Sequence, residues 1–384
     1  MLHNDTLCSI ISNVSFYAPA GAETGVYMGR KDILFAKPKK ERHTGRNLVI
    51  VLLILVILIA VCVVFNSVNN GHVSMIRQRV NKVSTLKDGI RILHISDLHG
   101  ETFGKEQVNL ARSWKDENIT CSIVCITGDM IGEDGSTAPF TDMLDKLPSS
   151  TTNIVFFIPG DEDPDPLLYT AHEGNSAKAE WVLEAEAHGA TYLDCPTLVD
   201  IKGQKVWFCP FEAMEIDTDV KRRDYQKNIE KILAAEDSPN RDAQLLYYAY
   251  HMDRLDRIDA ARQEMSAEHT YIVLKHGPYR ENDTMGVENI RVSGVKMTYP
   301  VALVLAGHQC GGHVQIPLLD IPLYADKGRW FPEKWEVSGL HAVSSTYQYI
   351  SPGLGTSREY PWYLSKRVFN APSVTLLTLT NAIN

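Results

Sequence analysis

The chain has 384 residues, a formal charge of −9, and 44% hydrophobic against 22% charged residues. That is the balance of a globular protein, with room for a membrane anchor and one large domain or two smaller ones. The acidic charge offers no global field for nucleic acid, so none is expected as a partner. Seven cysteines over this length do not make a disulfide scaffold.

Residues 1–46 show no periodicity and read as a basic tail. Arg30, Lys31, Lys37, Lys39, Lys40, Arg42 and Arg46 are offset only by Asp32 and Glu41. Leu48 to Phe65 is then free of charge for eighteen residues. A helix of that length spans roughly 27 Å, close to the hydrocarbon core of a bilayer. A buried core helix would keep a polar face over such a length. A signal peptide would start less deep and end in a small-residue cleavage site. The expectation is a transmembrane helix over 47–66, meeting the membrane through residues 48–65, with Cys62 an ordinary membrane cysteine. Only Arg77, Arg79 and Lys82 follow it closely. The basic excess therefore places the N-terminus in the cytoplasm and the C-terminal part outside a single-pass cell-membrane anchor. A juxtamembrane linker over 67–88 and one domain over 89–384 complete the plan.

Short apolar runs at Ile90–Ile95, Ser122–Thr127, Asn153–Ile158, Tyr271–Leu274 and Val301–Ala306 read as buried strands. Helical spacing covers Lys105–Glu117, Ser176–Ala187, Asp219–Ala235 and Ala243–Met265. Tyr192–Phe211 reads as a hairpin whose Cys195 and Cys209 are either a disulfide or two buried thiols. His313–Pro317, Gln348–Ser351 and Ser373–Leu379 add strands without helices. The alternation gives an α/β fold, and the late strands call for a second, mixed sheet.

Polar side chains of one kind close these runs. Asp97 and His99, then Asp129, Asp161, His276 and His308 each follow one of the five apolar runs. Strand ends are where open α/β sheets build their sites. Carboxylates and imidazoles suit paired divalent metals, and Gly100, Gly128, Gly160 and Gly307 let the backbone turn beside them. One Asp-x-His or one Gly-Asp carries little weight; five such ends in this order carry far more. His94 reads as a packed strand histidine. Trp330, Trp335, Tyr347, Tyr349 and Trp362 read mostly as core, with a substrate groove as the alternative. Glu162, Asp163 and Asp165 between prolines read as a solvated turn.

Ser96-Asp97-Leu98-His99-Gly100, Thr127-Gly128-Asp129, Pro159-Gly160-Asp161-Glu162-Asp163, Lys275-His276-Gly277-Pro278 and Gly307-His308-Gln309-Cys310-Gly311-Gly312 resemble the five motif blocks of calcineurin-like metallophosphoesterases. Tyr349–Ser357 and Phe369-Asn370-Ala371-Pro372 resemble the end of the membrane-associated bacterial branch of that superfamily. The resemblance covers about residues 88–380. It implies two packed mixed β-sheets flanked by helices, a metallophosphoesterase-like four-layer sandwich. It also implies a metal-dependent phosphoesterase. By position, Asp97, His99 and Cys310 would bind a first metal, Asp129 would bridge, and Asp161, His276 and His308 would bind a second. Two divalent ions (Mn, Fe or Zn) would activate water and neutralise charge on the phosphate. The branch implies a phosphate-ester substrate of the envelope or one linked to lipid.

Two blocks depart from the family pattern. Where the family has Gly-Asn-His, this chain has Gly160-Asp161-Glu162. Glu162 thus stands where the leaving-group histidine is expected. It either serves as a general acid, given a raised pKa, or repels phosphate. Where the family has a second metal-binding histidine, this chain has Cys310. Cys310 is either a thiolate ligand suited to Zn or Fe or a small buried residue. His313 either reaches into the site or is a strand histidine. Two functions follow from the departures: an active hydrolase, or a degenerate relative acting as a metal- or phospho-ligand-binding envelope sensor or scaffold.

Overall fold

The computed structural model describes residues 44–382 apart from 172–175, 280–289, 293–294, 298–300, 318, 320, 326–327, 344–345, 359 and 363. The chain divides after Leu58 into an N-terminal unit and a large unit from Ile59 onward. Helix α1 (Thr44–Asn70) runs through the division. Its Val, Leu and Ile side chains are exposed over Leu48–Phe65, and it is long and apolar enough to cross a membrane. A helix is the one open-ended element that satisfies its own backbone in lipid.

Within the large unit, the end of α1 is tied down. The Asn66 and Asn70 amides donate to the Arg367 carbonyl at 2.9 and 2.8 Å. Asn66 Oδ1 accepts the Phe369 N–H, and Phe65 stacks on Phe369. The stretch expected as a linker carries strand β1 (Ser74–Val80), which pairs in parallel with β18 (Ser373–Leu379). Its charged Arg77 and Arg79 masked the strand in the sequence. They suit an edge position, where charge blocks further pairing.

The first sheet has the order β1-β18-β2-β3-β4-β5, with β2 (Ile90–Ile95), β3 (Ile123–Thr127), β4 (Val155–Ile158) and β5 (Ala190–Tyr192) parallel to one another and β18 antiparallel to β2. The second has the order β16-β17-β11-β8-β7-β6, built from β6 (Thr197–Ile201), β7 (Gln204–Pro210), β8 (Thr270–Leu274), β11 (Val301–Ala306), β16 (Gly339–Val343) and β17 (Thr346–Ile350). Here β7, β8, β11 and β17 run parallel, while β6 and β16 are antiparallel edges. Both sheets are mixed, as expected. The β6–β7 hairpin also forms, but Cys195 and Cys209 remain free thiols.

Strand alternation sorts the core into layers. Ile90, Ile92, Ile123 and Phe156 from one sheet meet Phe208, Ile272, Leu303 and Leu305 from the other. The opposite faces, through Leu93, Val124 and Phe157, pack against α2 (Val108–Lys115), α3 (Ala138–Leu144) and α4 (Glu180–Ala187). Helix α2 starts later than its periodicity predicts because Glu106 and Gln107 adopt left-handed backbone angles. His94 sits between the sheets. Burial lowers its pKa to about 3, so it is a neutral core residue bonded to Thr127 Oγ1. Short strands β9 (Ile290–Val292), β10 (Val295–Met297), β12 (Gln315–Ile316), β13 (Ile321–Pro322), β14 (Tyr324–Ala325) and β15 (Arg329–Trp330) and helix α8 (Lys334–Val337) decorate the second sheet's connections. Tyr349 is buried, but Trp330, Trp335 and Trp362 are more than half exposed, so most of that aromatic set is surface and not core.

Helix α5 (Phe211–Glu215) and a hairpin of α6 (Thr218–Ala234) and α7 (Arg241–Glu264) link β7 to β8. The hairpin is anchored at Asp194, just past β5. Its carboxylate accepts from the Tyr250 hydroxyl at 2.6 Å and from Arg257 Nη1 and Nη2 at 2.8 and 2.7 Å. Burial raises the Asp194 pKa, but these partners outweigh it and hold it below the usual carboxylate range. Its contribution to stability is therefore present above about pH 4 and is lost as pH falls through the lower folded value. Asp194→Ala is expected to cost about 2–3 kcal/mol, discounted from a fully buried pair because Arg257 is partly exposed. Urea unfolding at pH 7 measures this, and an unchanged midpoint would remove the anchor from the account.

Candidate metal centre

The parallel strands β2, β3, β4, β8 and β11 all deliver a polar residue just past their C-terminal ends. Asp97, His99, Asp129, His308 and Cys310 do so with left-handed backbone, at φ of 55°, 48°, 55°, 69° and 45°. Such a conformation costs an L residue about 1–2 kcal/mol. Backbone strain of this kind clusters where function demands it.

All seven expected ligands are brought together, in two groups. Asp129, Asp161, His276 and His308 form one, and Asp97, His99 and Cys310 the other, each with its ligand atoms within 4.8 Å of one another. Asp129 joins them. Its Oδ2 lies 3.1 Å from His276 Nε2 and 3.7 Å from His99 Nε2. His276 Nε2 also lies 2.7 Å from Asp161 Oδ1, and His308 Nδ1 lies 3.2 Å from the same oxygen. Cys310 Sγ is 3.6 Å from His99 Nε2. Asp129 Oδ2 and His276 Nε2 are buried yet make no hydrogen bond of good geometry. Buried polar atoms that converge without bonding are what a cation would satisfy. Carboxylate, imidazole and thiol donors therefore fit divalent metal ions.

The ring orientations are fixed from behind. The His276 Nδ1–H donates to the Thr127 carbonyl at 2.7 Å, which leaves Nε2 facing Asp129 and Asp161. His99 Nδ1 lies 3.4 Å from Glu162 Oε2, so its Nε2 faces Cys310 and Asp129. Such outer partners orient metal-binding histidines. Charges follow the geometry. Burial disfavours the His99 cation, but Cys310, Glu162 and Asp129 lift its pKa to about 11. Burial likewise opposes the Glu162 and Asp161 carboxylates, yet His99 holds the first, and His276 and His308 the second, below the ordinary range. The Cys310 thiol is pushed up by burial and by Asp97, while His99 and the buried Arg367 guanidinium pull it down.

Three supports were not legible as such. Asp163, read as a solvated turn acid, accepts the backbone N–H groups of Asp129, Met130, Ile131 and Gly160, each at 2.8 Å. One carboxylate thus locks the turns after β3 and β4 together. Those turns approach so closely that a Cβ on Gly160 would lie 2.0 Å from Asp129 Oδ1. Arg367 donates to the Gly355 and Pro352 carbonyls at 2.7 Å, holding the loop that packs on Asp97. Asn370 Nδ2 donates to the Cys310 carbonyl at 2.8 Å. His313 does not reach the cluster. Its Nδ1 meets the Leu364 carbonyl and its Nε2 accepts from the Ser357 N–H.

With this geometry in place, comparison with known proteins is decisive for the family. The model of the calcineurin-like phosphoesterase family matches residues 90–312, more than half of the chain. The chain belongs to the calcineurin-like phosphoesterase family. A relative described as an uncharacterized metallophosphoesterase, YkuE of Bacillus subtilis (strain 168), is 33% identical over 81 residues. That match spans 21% of this chain and only 25% of the relative's length. Phosphopantetheinyl hydrolase (PptH) from Mycobacterium tuberculosis aligns over 72% of this chain and 95% of its own, at 13% identity and a TM-score of 0.32. A likeness that loose bears on neither fold nor substrate. The family's own description is that of a phosphoesterase.

Proposed function

We propose that the chain is a membrane-anchored hydrolase of phosphate esters working with two divalent metal ions. One observation carries this reading: a single oxygen, Asp129 Oδ2, faces both ligand groups. On this reading Asp129 bridges, Asp97, His99 and Cys310 complete one site, and Asp161, His276 and His308 complete the other. Bound there, divalent ions would supply Lewis acidity toward phosphoryl oxygens and lower the pKa of water. The thiol suits Zn or Fe in its site, and the oxygen-rich group also suits Mn.

Glu162 takes a different role from the general acid that its position implies. Burial raises its pKa, but His99 outweighs that and holds it below the ordinary carboxylate range. It acts instead as a positioning residue that keeps the His99 Nε2 turned to the centre. Glu162→Gln is expected to weaken metal binding by about 10–100-fold while leaving the fold intact. Metal titration followed by elemental analysis reads this out, and wild-type affinity in the variant would discard the role.

The functional test is hydrolysis of bis-p-nitrophenyl and mono-p-nitrophenyl phosphate. Turnover that chelation removes and Mn, Fe or Zn restores supports the reading. Full metal loading with no turnover on either ester would favour a binding or sensing protein. The apolar α1 supports a membrane location and an envelope or lipid-linked ester. The basic residues before it support a cytoplasmic N-terminus. A single cysteine placed at exposed Lys221 should then react with a membrane-impermeant maleimide in intact cells. Labelling only after lysis would reverse the topology.

A further inference from the structure

A cavity of about 460 Å³ opens beside the α6–α7 hairpin. Tyr169, Tyr192 and Tyr247 wall it, and Asp165, Glu212 and Arg254 supply its charges. His251 on α7 lines it too, and is only 9% exposed. Neither of its ring nitrogens has a hydrogen-bond partner. Burial, then Arg254, lowers its pKa to about 4, so it is neutral at pH 7 and offers one donor and one acceptor. Its ring lies edge-on to Tyr247 at 4.4 Å. A buried imidazole with both nitrogens idle is costly unless a ligand meets it.

The place of the cavity matters as much as its lining. Asp165 is four residues past Asp161. Tyr192 ends β5 opposite Phe157 of β4. Glu212 lies two residues past β7, whose Pro210 pairs with Leu274, two residues before His276. The cavity therefore runs along the same strand-end rim as the metal cluster.

Its chemistry selects among ligands. Two carboxylates outweigh one guanidinium, and Arg254 Nε is already committed to the Asp194 carbonyl at 2.7 Å. The net charge repels phosphate. Tyrosine faces attract cations, most strongly when the cation is desolvated. We infer that this cavity binds the ammonium end of an amino-alcohol group, with His251 meeting the hydroxyl or ester oxygen. Resting on the phosphoesterase reading, it is the subsite for the organic part of the ester, and substrates carrying choline-like groups are preferred.

Calorimetric titration of choline into the full chain in detergent tests the cavity without turnover. Saturable binding is expected, weakened at least tenfold by Tyr247→Ala and likewise by Asp165→Asn, which lies on an exposed turn and spares the fold. No binding, binding indifferent to both substitutions, or glycerol binding as tightly as choline would overturn the inference. In parallel, p-nitrophenyl phosphorylcholine should be hydrolysed with a kcat/KM at least tenfold above that of bis-p-nitrophenyl phosphate, and Tyr247→Ala should erase that ratio. Choline binding with neither ester hydrolysed would sink the phosphoesterase reading and leave the cavity's assignment standing. Hydrolysis of both esters without the preference would do the reverse.

Discussion

Asp129→Ala is expected to abolish metal-dependent hydrolysis, a fall on the order of a thousandfold or more. The reason is geometric. Asp129 is fully buried, and its Oδ2 faces His276 on one side and His99 on the other. On the proposed reading, removing it would take the shared ligand from both sites at once and leave the other six residues as two disconnected partial sites. Asp129→Asn keeps the volume and one oxygen but loses the charge that offsets two cations, and it should fall nearly as far. Steady-state rates on bis-p-nitrophenyl phosphate under saturating metal measure both. Turnover within tenfold of wild type in Asp129→Ala would show that the cluster is not the reaction centre.

Asp163→Ala is the largest expected stability change. Four backbone N–H groups at the turns after β3 and β4 would lose their acceptor. Hydrogen bonds to a charged group are individually worth about 1.5–3 kcal/mol, and stranded donors add their desolvation cost. Water entering the gap offsets part of this, which leaves about 3–5 kcal/mol and a midpoint lower by roughly 6–10 °C. Asp163→Asn should be little better, because its amide would turn a donor toward two N–H donors. Since these turns carry Asp129 and Asp161, metal loading should fall with stability. Thermal unfolding with and without metal separates the two effects, and a midpoint within a degree of wild type would refute the clamp.

The contrast between Asp129 and Asp163 shows what could be read in the sequence. Asp97, Asp129, Asp161, His276 and His308 were legible because each closes an apolar run, and parallel strands leave such residues on one edge. Asp163 was not, since an acid between prolines looks the same whether it faces water or four amide groups. Strand β1 stayed hidden because Arg77 and Arg79 suit both a linker and an exposed edge. Asn370 acts on the Cys310 carbonyl across 60 residues of sequence, and Arg367 acts on the loop that packs on Asp97, both through backbone carbonyls. His251 sits mid-helix among tyrosines, where side-chain spacing alone says core. The two departures from the family pattern were visible as letters, but their meaning needed distances. Glu162 lies within reach of His99 Nδ1, and Cys310 lies across from His99 Nε2. Both substitutions therefore act on the same imidazole, one from each side.

The central claim is that two metal ions share Asp129. The most direct measurement is the metal content of the purified full chain after incubation with Mn, Fe and Zn and removal of the excess. Close to two ions per chain is predicted for the wild type, with Asp129→Ala retaining fewer than one. A wild-type chain that binds no metal, or a variant that keeps both ions, would contradict it.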